Sequence, residues 1–352
     1  MKVKDLETPA LVVIRDRMEY NLNKMVGMLE GGKAKLRPHY KSHKCPEIAA
    51  MQIEAGAIGI TCAKLSEAED LIEYGIKDIL IANQVVQPSK ILRLAALARC
   101  CRLTVCVDCE ENIRAISDAA SVAGSTVNLY IEFDVGMKRC GVDEFSEVYR
   151  LACIIDALPG VTYGGIQAYA GNLAHEYDKE KREREALINR ERVNALAYYL
   201  EQRGIKNPEI SGGSTGTSYL KSDGSVYTEI QAGSFMFMDR AYGRMELGFR
   251  NSLFVIATVI SVKEDRVVID AGMKSLTTDQ GEPLICGWDH DSISLSEEHT
   301  TFYGAHKFRV GDMVMVIPGH CCTTVNLYDE LYFVQGENVL RKLSVTGRGK
   351  SR

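Results

Sequence analysis

The sequence predicts an α/β fold, a (β/α)8 TIM-like barrel with a C-terminal β domain, and three observations predict it. From residue 36 to about residue 231, short apolar β-rich runs alternate with longer amphipathic stretches. Gly, Pro, Asp or Asn marks each change of period. After Ala241 the long helical stretches stop, and apolar β-rich runs follow one another. Eight parallel strands with crossover helices close a barrel, whereas strands without long helices form a separate layer.

The barrel strands are expected, in order, at 36–41, 58–61, 79–81, 103–107, 129–133, 161–167, 209–213 and 227–231. Between them lie helical patterns such as PEIAAMQIEAG, KLSEAEDLIEYG, SKILRLAALARC, EENIRAISDAASVAG and FSEVYRLACIIDALPG, with a short Gly-rich link before the last strand. Ser66-Glu-Ala-Glu69 matches a capping box, and Gly75 is placed as a C-cap. The charge run DKEKREREALINRER interleaves both signs, as a solvated helix face does. A β domain is expected from near Asn251, with strands in LFVIATVISV, RVVIDAG, DMVMVIPG, ELYFVQG and NVLRKLSV. The expected division is a barrel over 8–245 and a β domain over 246–352, joined by residues 1–7.

With 42 basic and 47 acidic residues the net charge is −5, so nothing in the totals draws the chain toward nucleic acid or anionic lipid. A small-molecule partner is expected. No apolar run reaches the roughly 18–20 residues of a bilayer helix, and the opening MKVKDLETPALVVI lacks the parts of a signal peptide. A cytoplasmic location is expected. The 11 Cys are irregularly spaced and odd in number, unlike a secreted disulfide framework. They are expected to be thiols, most of them buried.

Active sites of barrels sit at the C-terminal ends of the strands. Arg37-Pro-His-Tyr-Lys-Ser-His-Lys44 occupies that end of the first strand. A Lys ending a strand there points into a partly desolvated mouth, where a neutral amine can form a Schiff base. Lys41 is that candidate, although this segment alone favours a phosphate-contacting or surface lysine, and it is the other segments that change the balance. Asp134-Val-Gly-Met-Lys-Arg139 follows the fifth strand, and Arg139 can reach an anionic oxygen or pair with an Asp. Ser211-Gly-Gly-Ser-Thr-Gly-Thr217 and Gln231-Ala-Gly-Ser234 follow strands seven and eight, where such barrels bind phosphate. A Lys, an Arg and a phosphate cradle at one end describe bound pyridoxal phosphate better than other common cofactors. No Walker A or G-x-G-x-x-G sequence competes.

In Pro318-Gly-His320-Cys-Cys322, strand alternation would put His320 and Cys322 on one face, where imidazole and thiolate suit Zn²⁺. The same pair also fits an ordinary core contact. Tyr169-Ala-Gly-Asn-Leu-Ala-His175 follows the sixth strand, and His175 is either a general base or an exposed helix-start His.

Taken in order, RPHYKSHK, TCAKLSEAE, DVGMKRCGV, YAGNLAH, SGGSTGT, TEIQAGSFMFMD, SEEHT and PGHCCTTVNLYDE resemble the D-threonine aldolase and D-serine dehydratase family, of the fold-type III, alanine-racemase-like architecture. The resemblance implies that Lys41 carries the pyridoxal phosphate as a Schiff base. It places Arg139 by the phenolic oxygen and Gln231 by the pyridine nitrogen. It also places Gly213, Ser214, Thr215, Gly233 and Ser234 around the phosphate. His320 and Cys322 would hold a divalent metal, Zn²⁺ or else Mn²⁺ or Mg²⁺, with His175 and Tyr169 beside the substrate. The implied activity is that of a lyase on D-β-hydroxy-α-amino acids, and a homodimer is implied by the same analogy.

Two reactions fit. Removal of the β-hydroxyl proton cleaves Cα–Cβ, as in a D-threonine aldolase; removal of the α-proton expels hydroxide, as in a D-serine dehydratase. The thiolate at Cys322 favours the dehydratase, while His175 and Tyr169 match the aldolase arrangement. D-3-Hydroxyaspartate is an alternative substrate for either reaction. A racemase would need no metal, and the ending of SEEHT, which departs from the family's SEEHG, leaves His299 without an assigned role.

Overall fold

A computed structural model describes residues 1–206, 209–221 and 226–352. The Gly-rich link expected before the last barrel strand therefore lies in part, at 222–225, outside the described residues. The chain divides into two compact units. One comprises residues 25–41, 48–233 and 350–352; the other comprises 1–24, 42–47 and 234–349.

In chain order the first elements are β1 (Ala10–Ile14), α1 (Arg15–Leu29), β2 (Lys35–Leu36), α2 (Pro46–Glu54), β3 (Ile60–Cys62), α3 (Leu65–Tyr74) and β4 (Asp78–Gln84). There follow α4 (Pro88–Leu97), β5 (Arg102–Val107), α5 (Glu110–Ala123), β6 (Val127–Glu132), α6 (Phe145–Ala157), β7 (Val161–Ala168), α7 (Lys179–Glu201), β8 (Glu209–Gly212) and β9 (Glu229–Ile230). Strands β2 to β9 form one parallel sheet in the order β2-β9-β8-β7-β6-β5-β4-β3. A parallel bridge between His39 and Thr61 joins its ends, supported by Thr61 N–H donating to the Pro38 carbonyl at 2.9 Å and Ile58 N–H to that of Leu36 at 3.0 Å. The sheet is thus a closed barrel, and all eight expected strands are present.

The first strand is shorter than the expected 36–41. Arg37 and His39 N–H still donate to the Ile230 and Ala232 carbonyls, at 3.0 and 3.2 Å, but Pro38 between them has no N–H to give. The chain then tightens into a 3₁₀ turn, Tyr40–Ser42, which carries Lys41. The capping box on α3 is also shifted from the sequence expectation. Glu67, not Glu69, receives the Ala63 and Lys64 N–H groups at 2.8 and 3.2 Å, and Lys64 is the N-cap in place of Ser66. Gly75 ends α3 in the left-handed conformation, φ 109°. The charge run forms most of α7, capped by Asp178 accepting from Lys181 N–H at 3.0 Å.

The second unit contains β1 and, after α8 (Arg240–Gly243), strands β10 (Leu253–Lys263), β11 (Arg266–Ile269), β12 (Leu284–Ile285), β13 (Ser292–Leu295), β14 (Thr300–Tyr303) and β15 (Met313–Ile317). The short helix α9 (Cys321–Val325) precedes β16 (Glu330–Gln335) and β17 (Asn338–Ser344). These nine strands make a mixed sheet in which β1 lies between β10, antiparallel, and β16, parallel. The N-terminal contribution therefore reaches Lys24 instead of stopping at residue 7. Leu6, Ala10, Val12, Phe254, Ile256 and Val334 form a core on this sheet. The strands β12 (LI), β13 (SISL) and β14 (TTFY) escape sequence reading because none contains an apolar run of more than two residues to mark it.

All eleven cysteines are free thiols, but only Cys45, Cys62, Cys106 and Cys321 are buried, fewer than expected. Among the described residues no helix is long and apolar enough to cross a membrane.

Inside the barrel, Arg37 is buried between two carboxylates: Nη1 is 2.6 Å from Asp78, and Nε and Nη2 are 2.8 and 2.7 Å from Glu229. Burial works against the guanidinium charge, but Glu229 and Asp78 outweigh it and the pKa is raised. Removing one partner of such a group strands the other charge in a poorly solvated interior, whereas replacing both is tolerated far better. Arg37→Met is expected to cost about 3–5 kcal/mol, read as a lower urea midpoint, and Arg37→Met with Glu229→Met to recover part of it. An unchanged midpoint in the single variant would contradict this account of the barrel interior.

Candidate active site

The candidate residues of the barrel unit all follow C-terminal strand ends, as the architecture requires. Lys41 comes after β2, Arg139 after β6, Tyr169 and His175 after β7, Gly213 to Thr215 after β8, and Gln231 and Gly233 after β9. Lys41 Nζ and the Arg139 guanidinium each lie 5.8 Å from the centre of the Tyr169 ring, so this ring has a cation at two places on its surround. Lys41 is exposed, which differs from the desolvated mouth expected of it; it extends from a turn beyond the strand and has an aromatic ring for a neighbour. His175 is half-buried, in the segment after a 3₁₀ turn, Gly171–Leu173.

Arg139 is not tied to Asp134. The Asp134 carboxylate instead closes its own loop, accepting from Gly136 N–H at 2.8 Å and from Lys138 N–H at 3.1 and 3.0 Å. Glu132, at the end of β6, is raised in pKa by burial, against a hydrogen bond from Gln84 and the charge of Arg139. Gln84 Nε2 donates to Glu132 at 2.6 Å and to Asp108 at 3.2 Å. Sequence reading missed this trio, since its members lie on three different strand ends and no local motif links them.

After β8, Gly213 adopts φ 79°, a conformation open to glycine, and the chain enters a 3₁₀ helix, Thr215–Lys221. Ser214, Thr215, Thr217 and Ser218 are buried there, with Ser214 N–H donating to Thr217 Oγ1 at 3.2 Å. Backbone N–H groups and hydroxyls gathered in one turn after a strand end are the donors a phosphate group needs. Gln231 is buried and its amide is committed: Nε2 donates to Gln167 Oε1 at 2.6 Å and to Ser211 Oγ at 2.8 Å. Pairing with a pyridine nitrogen would exchange one of these bonds.

His320 and Cys322 lie in the β unit, with Ser234. The pair does not sit on a strand as expected. His320 is the extended N-cap, φ −141° and ψ 123°, and Cys322 stands in the first turn of α9. The turn still joins the two side chains by a hydrogen bond. Burial opposes the imidazolium, but Cys322, through its hydrogen bond and charge, together with Asp279 and Asp239, raises His320 to about 9. Cys322 Sγ also lies 3.3 Å from Ser42 Oγ and 3.4 Å from Ser234 Oγ. Ser42 follows Lys41 in the chain, and Ser234 follows Gly233. Ser234 thus touches the thiol, a contact its expected phosphate role did not include.

Two carboxylates brace this turn. Asp239, buried and raised in pKa by that burial, accepts from Cys321 N–H and Tyr242 N–H, each at 2.9 Å. Asp279 Oδ2 is 2.6 Å from His320 Nδ1. No group of three or more His, Cys, Asp or Glu residues arranged for a metal occurs among the described residues. A metal here would take imidazole and thiolate from the protein and keep positions for water or substrate, a donor set that suits Zn²⁺. His299, left without a role by the sequence, is exposed in the turn between β13 and β14.

Comparison with known proteins agrees with this arrangement of the chain. Residues 13–241 match the alanine racemase N-terminal domain, and residues 252–334 match the putative serine dehydratase domain. A D-threonine aldolase from Arthrobacter sp is 40% identical, over 99% of this chain and 94% of its own. The crystal structure of D-threonine aldolase from Filomicrobium marinum superposes with a TM-score of 0.96 at 33% identity, covering 100% of this chain and 98% of that one. A D-threo-3-hydroxyaspartate dehydratase mutant, solved in a metal-free form, gives a TM-score of 0.87 at 26% identity, with 98% of each chain covered. Similarity of this extent, carried by both domains, shows that the chain belongs to the D-threonine aldolase and D-serine dehydratase family of pyridoxal-phosphate-dependent lyases, on the alanine racemase fold.

Proposed function

We propose that this enzyme is a divalent-metal-dependent D-β-hydroxy-α-amino acid aldolase, cleaving D-threonine or a related substrate to glycine and an aldehyde. The observation that carries the choice of reaction is the 40% identity to a D-threonine aldolase across nearly the whole chain. It outweighs the preference for D-serine dehydration drawn from Cys322 alone, because a thiolate ligand bears on which metal is held more directly than on which bond breaks.

In this reading Lys41 binds pyridoxal phosphate, the buried hydroxyls of Ser214 and Thr215 with Gly213, Gly233 and Ser234 hold its phosphate, and Arg139 and Tyr169 flank the ring. Gln231 stands at the pyridine edge as a neutral group. His320 and Cys322 hold Zn²⁺, with Mn²⁺ or Mg²⁺ as alternatives. Bound, the cofactor supplies an electron sink at Cα and the metal supplies Lewis acidity at an oxygen. His175 takes the β-hydroxyl proton, directly or through water. The O–H electron pair becomes the carbonyl of the departing aldehyde as Cα–Cβ breaks, and a proton returned to Cα completes glycine. Tyr169 positions the substrate beside Lys41, its ring already meeting that lysine and Arg139.

Dehydration stays as the second reading because Cys322 carries a thiol where the resemblance places the metal. Incubation of zinc-loaded enzyme with D-threonine, D-serine and D-3-hydroxyaspartate separates the two: glycine and aldehyde are expected, and ammonia with a keto acid as the only products would overturn the aldolase assignment. Chelation should remove the activity and Zn²⁺ or Mn²⁺ restore it. His175→Ala is expected to lower kcat by about 10²–10⁴-fold with cofactor absorbance and metal content kept. Lys41→Ala should lose the visible absorbance of bound cofactor, and a yellow Lys41→Ala protein would contradict the cofactor assignment. The working form is proposed to be a homodimer, so light scattering should return twice the chain mass; a monomer of full activity would exclude it.

A further inference from the structure

The segment Thr277–Thr278–Asp279–Gln280–Gly281 belongs to no sequence motif identified above, yet it packs directly on the Pro318-Gly-His320 turn. A Cβ at Gly319 would stand 1.9 Å from the Gly281 carbonyl oxygen and 2.7 Å from that of Thr277, so only glycine at 319 admits the segment. The Thr277 hydroxyl reaches the His320 carbonyl at 3.1 Å and the hydroxyls of Thr323 and Thr324 at 2.8 Å each. The result is a carboxylate placed against one edge of an imidazole. Asp279 Oδ2 meets His320 Nδ1 at 2.6 Å, while Oδ1 accepts from Thr323 Oγ1 at 2.7 Å. Both carboxylate oxygens are therefore occupied by groups on one turn of chain.

We propose that Asp279 is a positioning residue for the metal site: by accepting the His320 Nδ1–H it fixes the imidazole tautomer and ring orientation that present Nε2 as a metal ligand. The inference rests on His320 and Cys322 being the ligands. An imidazole free to turn or to place its proton on either nitrogen spends part of its time with Nε2 protonated and unable to bind. A carboxylate on Nδ1 disfavours the turned ring and the neutral tautomer that carries its proton on Nε2, and it makes Nε2 a stronger donor. Thr323 holds the carboxylate from the other side, so its orientation is fixed before a metal arrives. Asp239 braces the Cys321 backbone, and Asp279 orients the neighbouring imidazole.

The test is retitration of chelator-stripped holoenzyme with Zn²⁺ against a chromophoric competitor, in the wild type and in Asp279→Ala, Asp279→Asn, His320→Ala and Cys322→Ala, with the Co²⁺ spectrum recorded alongside. His320→Ala and Cys322→Ala must abolish tight binding; if either keeps wild-type affinity, the ligand assignment itself fails, whatever Asp279 does. With that assignment intact, Asp279→Ala is expected to weaken Zn²⁺ binding about 10–100-fold. The thiolate-to-Co²⁺ band, the cofactor absorbance and the melting midpoint should be kept. Asp279→Asn, whose amide oxygen can still accept the Nδ1–H, should lose less. Affinity of Asp279→Ala within twofold of wild type would overturn the proposal, as would a Co²⁺ spectrum showing a changed coordination number, which would make Asp279 a ligand.

Discussion

The barrel closes where residues 36–39 meet residues 58–61, through the Ile58 N–H to Leu36 and Thr61 N–H to Pro38 main-chain hydrogen bonds, and closure brings the ends of its parallel strands to one rim. In a parallel barrel all strands point the same way, so the residues just past their ends share one rim. Pro38 interrupts the donor pattern of the first strand at the closing seam, and the chain leaves the sheet within two residues as the 3₁₀ turn that carries Lys41. The buried Arg37 with its two carboxylates locks the same seam from inside, joining β2 to β4 and β9. Of the three residues of that turn Tyr40 and Ser42 are buried, and Lys41 between them is exposed.

Much of this was legible from sequence, because the signals are periodic and local. Eight β-rich runs spaced by amphipathic helices specify a barrel, and strand ends fall where alternation stops, as at Val107 and Gly212. What sequence alone misplaces are features decided by one or two residues. Glu67 and Glu69 both lie near the start of α3, and only the chain path into the helix selects Glu67 as the one that reaches back to the free N–H groups. His320 and Cys322 were expected on a strand because their spacing of two matches its period, yet they meet through a helix N-terminus. The spacing survives the wrong geometry because an extended N-cap followed by one helical residue also brings positions i and i+2 together here.

Contacts distant in sequence are the part no local pattern carries. Asp279 lies 41 residues before His320, in a stretch with neither helix nor strand. Its only advance sign is indirect: Gly319, inside a recognisable motif, is a glycine because another segment of backbone must pass there. The Gln84, Asp108 and Glu132 trio is similar, drawn from three strands and joined by two bonds from one amide. In both cases an amide or a carboxylate spans two partners, and such bridges fix side-chain orientation more firmly than any single contact does.

The proposed chemistry puts opposite demands on two parts of the molecule. The choice between cleavage and elimination turns on which proton leaves first, that of the hydroxyl or that of Cα, and so on where a base stands relative to the substrate. A metal on the hydroxyl oxygen assists both outcomes, since it stabilises an alkoxide as readily as a departing hydroxide. The metal turn is accordingly free to be rigid, braced by Asp239 and Asp279 and closed in by Gly319, without committing the enzyme to either reaction. Selection then rests with the barrel rim, where His175 follows β7 on an irregular segment and Lys41 stands on a turn. In the proposed reading the metal turn is fixed while His175 and Lys41 stand on irregular segments, and relatives named as an aldolase and as a dehydratase share this fold, with TM-scores of 0.96 and 0.87.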